Sequence, residues 1–169
     1  MGEFSVKCKG EWEELPLNAR RFYGKFEIDK PKEKITLIDI EKQGFPFFAG
    51  ELALKGEIDV EGENPMLYLD FLGTNAIKIE IDGKEKVILT DRKILLKEFG
   101  VMGITDIKIT LINNLRNLLG PHHLEKGECY GVGPGSFYKE SCVWNPWTKE
   151  EDWNKGYCLV RFGLNKASD

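Results

Sequence analysis

The stretch Ala76-Ile77-Lys78-Ile79-Glu80-Ile81-Asp82-Gly83-Lys84-Glu85-Lys86-Val87-Ile88 decides the fold. Ile77, Ile79 and Ile81 alternate with Lys78 and Glu80, which is the period of a strand with one face in a core and the other in water. Asp82-Gly83 follows at once, and this dipeptide supplies the positive φ angles of a tight hairpin turn. Two antiparallel strands and a half-buried sheet are therefore expected here.

Working outward, the same alternation recurs at Ile107, Ile109 and Leu111 around Lys108 and Thr110, and at Leu67, Leu69 and Phe71. These three segments are expected to supply adjacent inner faces. Further strands are expected over residues 22–28, 35–40, 47–54, 86–89, 136–143 and 157–162, each bounded by turn formers such as Pro31 or Gly62 to Pro65. Helix signals are sparse, confined to a turn or two over 91–99 and a short acid-rich segment over 148–153. Many short strands at this spacing predict an all-β fold, a β-sandwich or a barrel. The segment 120–135 carries Gly120, Gly127, Gly131, Gly133 and Gly135, and such a loop zone is where function is expected to sit.

With 169 residues and 41% hydrophobic side chains, the chain suits one compact domain over 1–169, residues 1–20 being an N-terminal extension or a first edge segment. A net charge of -4 with both signs interspersed gives no basic stripe, which argues against nucleic acid or an anionic membrane as partner. No apolar run approaches the roughly 20 residues that cross a bilayer. The compartment stays open between the cytoplasm and secretion as part of a longer chain. Cys8, Cys129, Cys142 and Cys158 form no Cys-x-x-Cys pair, against a zinc ribbon or a thioredoxin-like site. Buried free thiols are the simple reading, with a disulfide among Cys129, Cys142 and Cys158 as the alternative.

From residue 69 to 117 the order is a strand, the alternating Ile77 to Ile81, the Asp82-Gly83-Lys84 turn, a polar stretch, and then Gly103-Ile104-Thr105-Asp106-Ile107-Lys108-Ile109. This order resembles the galactose-binding-like jelly roll of family-two-type glycoside hydrolases, with Asp82 at a turn position where Asn is usual. Asn113-Asn114-Leu115-Arg116-Asn117-Leu118-Leu119-Gly120-Pro121-His122-His123 is similar to a segment from C-terminal domains of large glycosidases. The resemblance implies a sugar-binding or structural module, with carbohydrate and an adjacent catalytic domain as partners.

Trp144, Trp147 and Trp153, with Tyr138 and Tyr157 near them in sequence, offer flat rings on which a sugar stacks its apolar face. The competing reading is that they cap an open end of the sandwich or pack on a catalytic domain. Arg116, Asn117, His122, His123, Glu128 and Tyr130 mix donors and acceptors in a way that suits a pattern of hydroxyls; the competing reading is that Asn113, Arg116 and Asn117 satisfy backbone groups in a long irregular loop.

His122 and His123 do not suit one metal ion, because neighbours on an extended chain point to opposite sides. Structural calcium is a minor alternative to having no cofactor, since no Asp-x-Asp-x-Asp-Gly loop is present. Glu13-Glu14 and Glu150-Glu151-Asp152 read as solvated charge runs and not as a glycosidase pair, so no catalytic residue is assigned. Phe45, Phe47 and Phe48 around Pro46 either fill the core or form a docking patch. The expected function is a non-catalytic carbohydrate-binding or accessory module of a glycoside hydrolase. The alternatives are a structural domain that docks without binding sugar and a small glycosidase.

Overall fold

A computed structural model describes residues 4–128 and 153–165. The fold is all-β and sandwich-like, in antiparallel sheets with almost no helix, as the alternating segments predict. The chain divides into two compact units, Met1–Ala49 with Leu115–Arg161, and Gly50–Asn114 with Phe162–Asp169.

In the first unit, strand β1 (Ser5–Glu14) pairs with β2 (Ala19–Asp29), and β2 pairs on its other side with β10 (Tyr157–Val160). Residues 1–20 thus include a ten-residue edge strand. Cys8, Gly10 and Trp12 face Phe26, Gly24 and Phe22 across the pair. The two glycines are required by close approach, because a Cβ on Gly24 would stand 2.2 Å from the Lys9 carbonyl oxygen and 2.6 Å from the Phe22 ring. On this face the Phe22 ring packs on Trp12 at 4.8 Å and on Phe26 at 4.9 Å, and Phe26 meets Phe47 at 4.7 Å and Tyr157 at 4.8 Å. Phe47 therefore belongs to an aromatic core and Pro46 is fully buried, which settles these two on the core side.

In the second unit, β3 (Gly50–Val60), β9 (Gly103–Asn113), β6 (Thr74–Ile81) and β7 (Lys84–Ile88) form a four-stranded sheet in that order. Ile77, Ile79 and Ile81 lie opposite Leu111, Ile109 and Ile107, and all six are buried. Each such side chain contributes about 1.5–3 kcal/mol by leaving water. The hairpin turn has Asp82 at φ 49° and Gly83 at φ 72°, the left-handed pair that the sequence predicts. Two small pairings complete the unit, β4 (Met66–Tyr68) with β8 (Lys93–Leu95) and β5 (Phe71–Leu72) with β11 (Gly163–Leu164).

Four expectations need correction. The alternation at Leu67, Leu69 and Phe71 does not join the four-stranded sheet, since Leu67 pairs with Ile94 and Phe71 with Leu164. Residues 35–40 form no strand, because the chain turns there into a 3-10 helix (Ile40–Gln43) through Asp39 at φ 53°. The strand expected over 47–54 starts at Gly50, after the turn around Pro46. The turn or two of helix expected over 91–99 is β8 followed by a 3-10 helix (Leu96–Phe99) that buries Leu96 and Phe99. The segments 136–143 and 148–152 lie outside the described residues. Among the described residues no helix is long and apolar enough to cross a membrane.

Candidate functional site

The first unit gathers Arg116, Asn117, His122, His123, Glu128 and Trp153 around β10. A single helical turn, α1 (Arg116–Leu119), follows β9 and presents Asn117, which is 2% exposed. Its amide donates to the Val160 carbonyl at 2.7 Å and accepts from the Val160 N–H at 2.7 Å. Asn117 thus does the work of a strand partner for the end of β10, with both polar atoms of its side chain engaged by Val160.

His122 donates through Nε2 to the Asn117 carbonyl at 2.8 Å and packs edge-on against Phe47 at 5.7 Å. Burial pushes its pKa down, against the pull of the Asn117 carbonyl, and the charges of Arg116 and His123 push the same way as burial. The ring is therefore neutral near pH 7. Nδ1 of His123 faces the carbonyls of Asn154 at 3.0 Å and Gly156 at 3.1 Å, so the N–H sits there. Arg116 Nε donates to Glu128 Oε2 at 2.5 Å, a charge-assisted bond within a half-enclosed pair. Asn117 and His122 thus bond backbone groups of the loop and of β10, while Arg116 and Glu128 pair with each other.

Trp153 differs from the rest. It is 56% exposed, its indole stacks on the His123 ring at 5.0 Å and 23°, and a backbone bridge to Leu124 fixes its chain position. Next to it in sequence, Asn154 donates to Glu125 Oε2 at 2.8 Å, and both sit on the solvent side of the same bridge. The indole is thus stacked on the imidazole and still more than half exposed. Trp144, Trp147 and Tyr130 lie outside the described residues, as do Cys129, Cys142 and the run Glu150-Glu151-Asp152. Cys158 is a buried free thiol, so it forms none of the disulfides considered for the last quarter of the chain.

What holds this ledge was not read from the sequence. Arg20 and Arg21, consecutive on β2, point to opposite faces of the sheet and are both buried. Arg21 donates to the carbonyls of Leu124 at 3.1 Å and Glu125 at 2.5 Å and pairs with Glu13 at 3.1 Å, which anchors the segment carrying His123. On the other face, Arg20 Nε meets both Glu14 oxygens at 2.7 and 2.9 Å, Nη1 meets Asp39 at 2.9 Å, and Nη1 also bonds the fully buried Glu41. Glu13 and Glu14, read as solvated charges, are the partners of two buried arginines.

A second polar depression, of about 740 Å³, lies on the outer face of the four-stranded sheet in the second unit. It is lined by Lys55, Glu57, Glu80, Asp82, Asp106 and Lys108. Lys108 bonds Glu80 at 2.9 Å, and this bond holds Glu80 below and Lys108 above their ordinary pKa values. Strand register puts these residues together from distant positions, Lys55 and Glu57 opposite Lys108 and Asp106 by the pairing of β3 with β9, and Glu80 opposite Lys108 by the pairing of β6 with β9. Among the described residues no group of three His, Cys, Asp or Glu side chains is arranged to hold a metal ion.

No family model matches the chain, no curated protein matches it in sequence, and no solved structure matches its fold.

Proposed function

We propose that the chain is a non-catalytic carbohydrate-binding module of the galactose-binding-like jelly-roll kind, accessory to a glycoside hydrolase, with Trp153 as its stacking platform. The observation that carries this reading is an indole more than half exposed, stacked on His123, with its backbone bridged to Leu124. A large apolar ring left in water costs free energy that a pyranose face recovers by covering it. Glu125, next to the bridged Leu124 and held by the Asn154 amide, supplies carboxylate oxygens that can accept from hydroxyls. The ring does not have to be ordered on binding, because its orientation is already set.

Affinity electrophoresis of the whole chain against neutral plant and bacterial glycans tests this. Retention is expected for at least one glycan, and Trp153→Ala is expected to weaken it roughly tenfold, about 1.4 kcal/mol. Absence of retention across a wide panel, or retention indifferent to Trp153→Ala, defeats the proposal. A second reading, docking on a catalytic domain without sugar binding, is favoured by the exposed Leu115, Leu118 and Leu119 around α1.

A further inference from the structure

On the first unit, a groove of about 330 Å³ whose lining does not include Trp153 runs beside β1 and is lined by Lys7, Lys32, Lys34 and Lys42, with Cys8 and Gln43. Four lysines thus line one groove on a chain whose net charge is -4, and the Lys42 ammonium reaches toward the Trp12 ring, 5.4 Å from its centroid. Neighbouring acids only partly balance them. Lys42 reaches Glu14 at 3.4 Å and Lys32 reaches Asp29 at 3.8 Å, while among the described residues no carboxylate lies within ion-pairing distance of Lys7 or Lys34.

The wall that carries Lys32 and Lys34 is fixed at both ends. The Ser5 hydroxyl donates to the Lys30 carbonyl at 2.6 Å. Gln43 accepts from the Thr36 N–H at 2.8 Å and donates to the Thr36 carbonyl at 3.1 Å. On the opposite side, the Val6 N–H donates to the Gly44 carbonyl at 2.9 Å, which ties the loop after the first 3-10 helix to β1. Gly44 itself is needed for this fit, since a Cβ there would press on the Ser5 Cβ at 2.9 Å. The Cys8 thiol adds no negative charge to the lining, because burial first and the Glu41 carboxylate second push it up to about 11. Glu41 is in turn bonded to Arg20.

We propose that this groove binds the acidic substituents of a glycan, sulfate esters or uronate carboxylates, through Lys7 and Lys34 with Lys32 and Lys42 flanking them. The anionic part rests on the lysine cluster alone; the saccharide part rests on the function proposed above. Sulfate and carboxylate share the chemistry the groove recognises, a compact oxyanion displayed on a ring, and lysine ammonium groups meet either as point charges. The volume lies at the lower end of small-ligand sites and suits one substituted sugar residue.

Isothermal titration of the whole chain, wild type and Lys7→Ala/Lys34→Ala, separates the possibilities. The probes are a sulfated tetrasaccharide, a galacturonate tetrasaccharide, a neutral tetrasaccharide retained in the affinity experiment, and inorganic phosphate. At least one acidic tetrasaccharide is expected to bind, with affinity falling as salt is raised and at least tenfold weaker in the double variant. Neutral binding is expected to stay unchanged in the double variant and to fall in Trp153→Ala, so that loss of one site is distinguishable from loss of the other. Circular dichroism checks that the variant, altered only at two exposed side chains, keeps its fold. Acidic binding equal in wild type and variant, or none at all, overturns the groove. Phosphate binding as tightly as both oligosaccharides, and lost in the variant, overturns the saccharide part.

Discussion

At the centre of the four-stranded sheet, β6 and β9 set Ile77, Ile79 and Ile81 against Leu111, Ile109 and Ile107. At the centre of the three-stranded sheet, β2 carries Arg20 and Arg21, one toward each face, both buried. The first arrangement is stabilised by removing apolar area from water, without directional demands. The second brings two full charges out of water and offsets that cost through the acceptors the guanidinium groups meet, three carboxylates for Arg20, and Glu13 with two carbonyls for Arg21, whose Nε has no hydrogen-bond partner among the described residues. The two units should therefore respond differently to substitution. The apolar sheet should lose stability in small, additive steps, and the charged one should fail abruptly when a partner is removed.

The largest effect is expected from Arg20→Met. It leaves Glu41, which is fully buried, without its cation, and breaking a buried pair costs about 3–5 kcal/mol. Urea denaturation measures it, and a loss under about 1 kcal/mol would show that water already solvates the cluster. Adding Glu41→Leu sharpens the comparison, since replacing both partners by apolar groups is expected to restore most of the lost stability. A smaller effect is expected from Ile79→Val in the apolar sheet, about 0.5–1.5 kcal/mol for one methylene. The same denaturation series checks it, and a cost comparable to that of Arg20→Met would erase the contrast between the units.

The contrast also explains what the sequence reveals. The Ile77 to Ile88 hairpin is legible because its side-chain period and its Asp82-Gly83 turn are local signals that agree with each other. The edge strand β1 is harder to read, since Val6, Cys8 and Trp12 are its only apolar inward positions and Gly10 interrupts them. Arg20, Arg21 and Glu41 give no local sign of burial at all. Their partners arrive from Glu14, Asp39 and residues 124–125, and only the folded register unites them. The region of 113–128 is legible as polar and functional in composition, yet most of its side chains serve the backbone. Asn117 replaces a strand partner and His122 bonds a carbonyl, while Trp153, stacked on His123 in the fold, stays more than half exposed.

The smallest effect lies in pH dependence, and it tests whether burial or pairing governs Glu41. Burial pushes its pKa up, and the Arg20 charge opposes this without overcoming it. The folded chain therefore holds that proton more firmly than the unfolded chain. Its contribution to stability is complete below the ordinary carboxylate value of about 4.3 and is lost as pH rises toward the raised folded value. Glu14 and Asp39 behave oppositely. Burial raises them, but hydrogen bonds and charge from Arg20 outweigh it and hold both below their ordinary values, so their contribution is present above that range and fades as acid is added. Glu41→Gln keeps an acceptor for Arg20 and places an amide where the second Glu41 oxygen has no hydrogen-bond partner among the described residues. It removes the first dependence and leaves the second. The stability of Glu41→Gln relative to wild type should therefore climb as pH goes from 3 to 7 on the usual carboxylate scale of about 4. Urea midpoints at a series of pH values read this difference directly. A relative stability that falls with pH would mean that Arg20 ionises Glu41 more readily in the fold than in water, so that pairing, and not burial, sets the chemistry at the centre of β2.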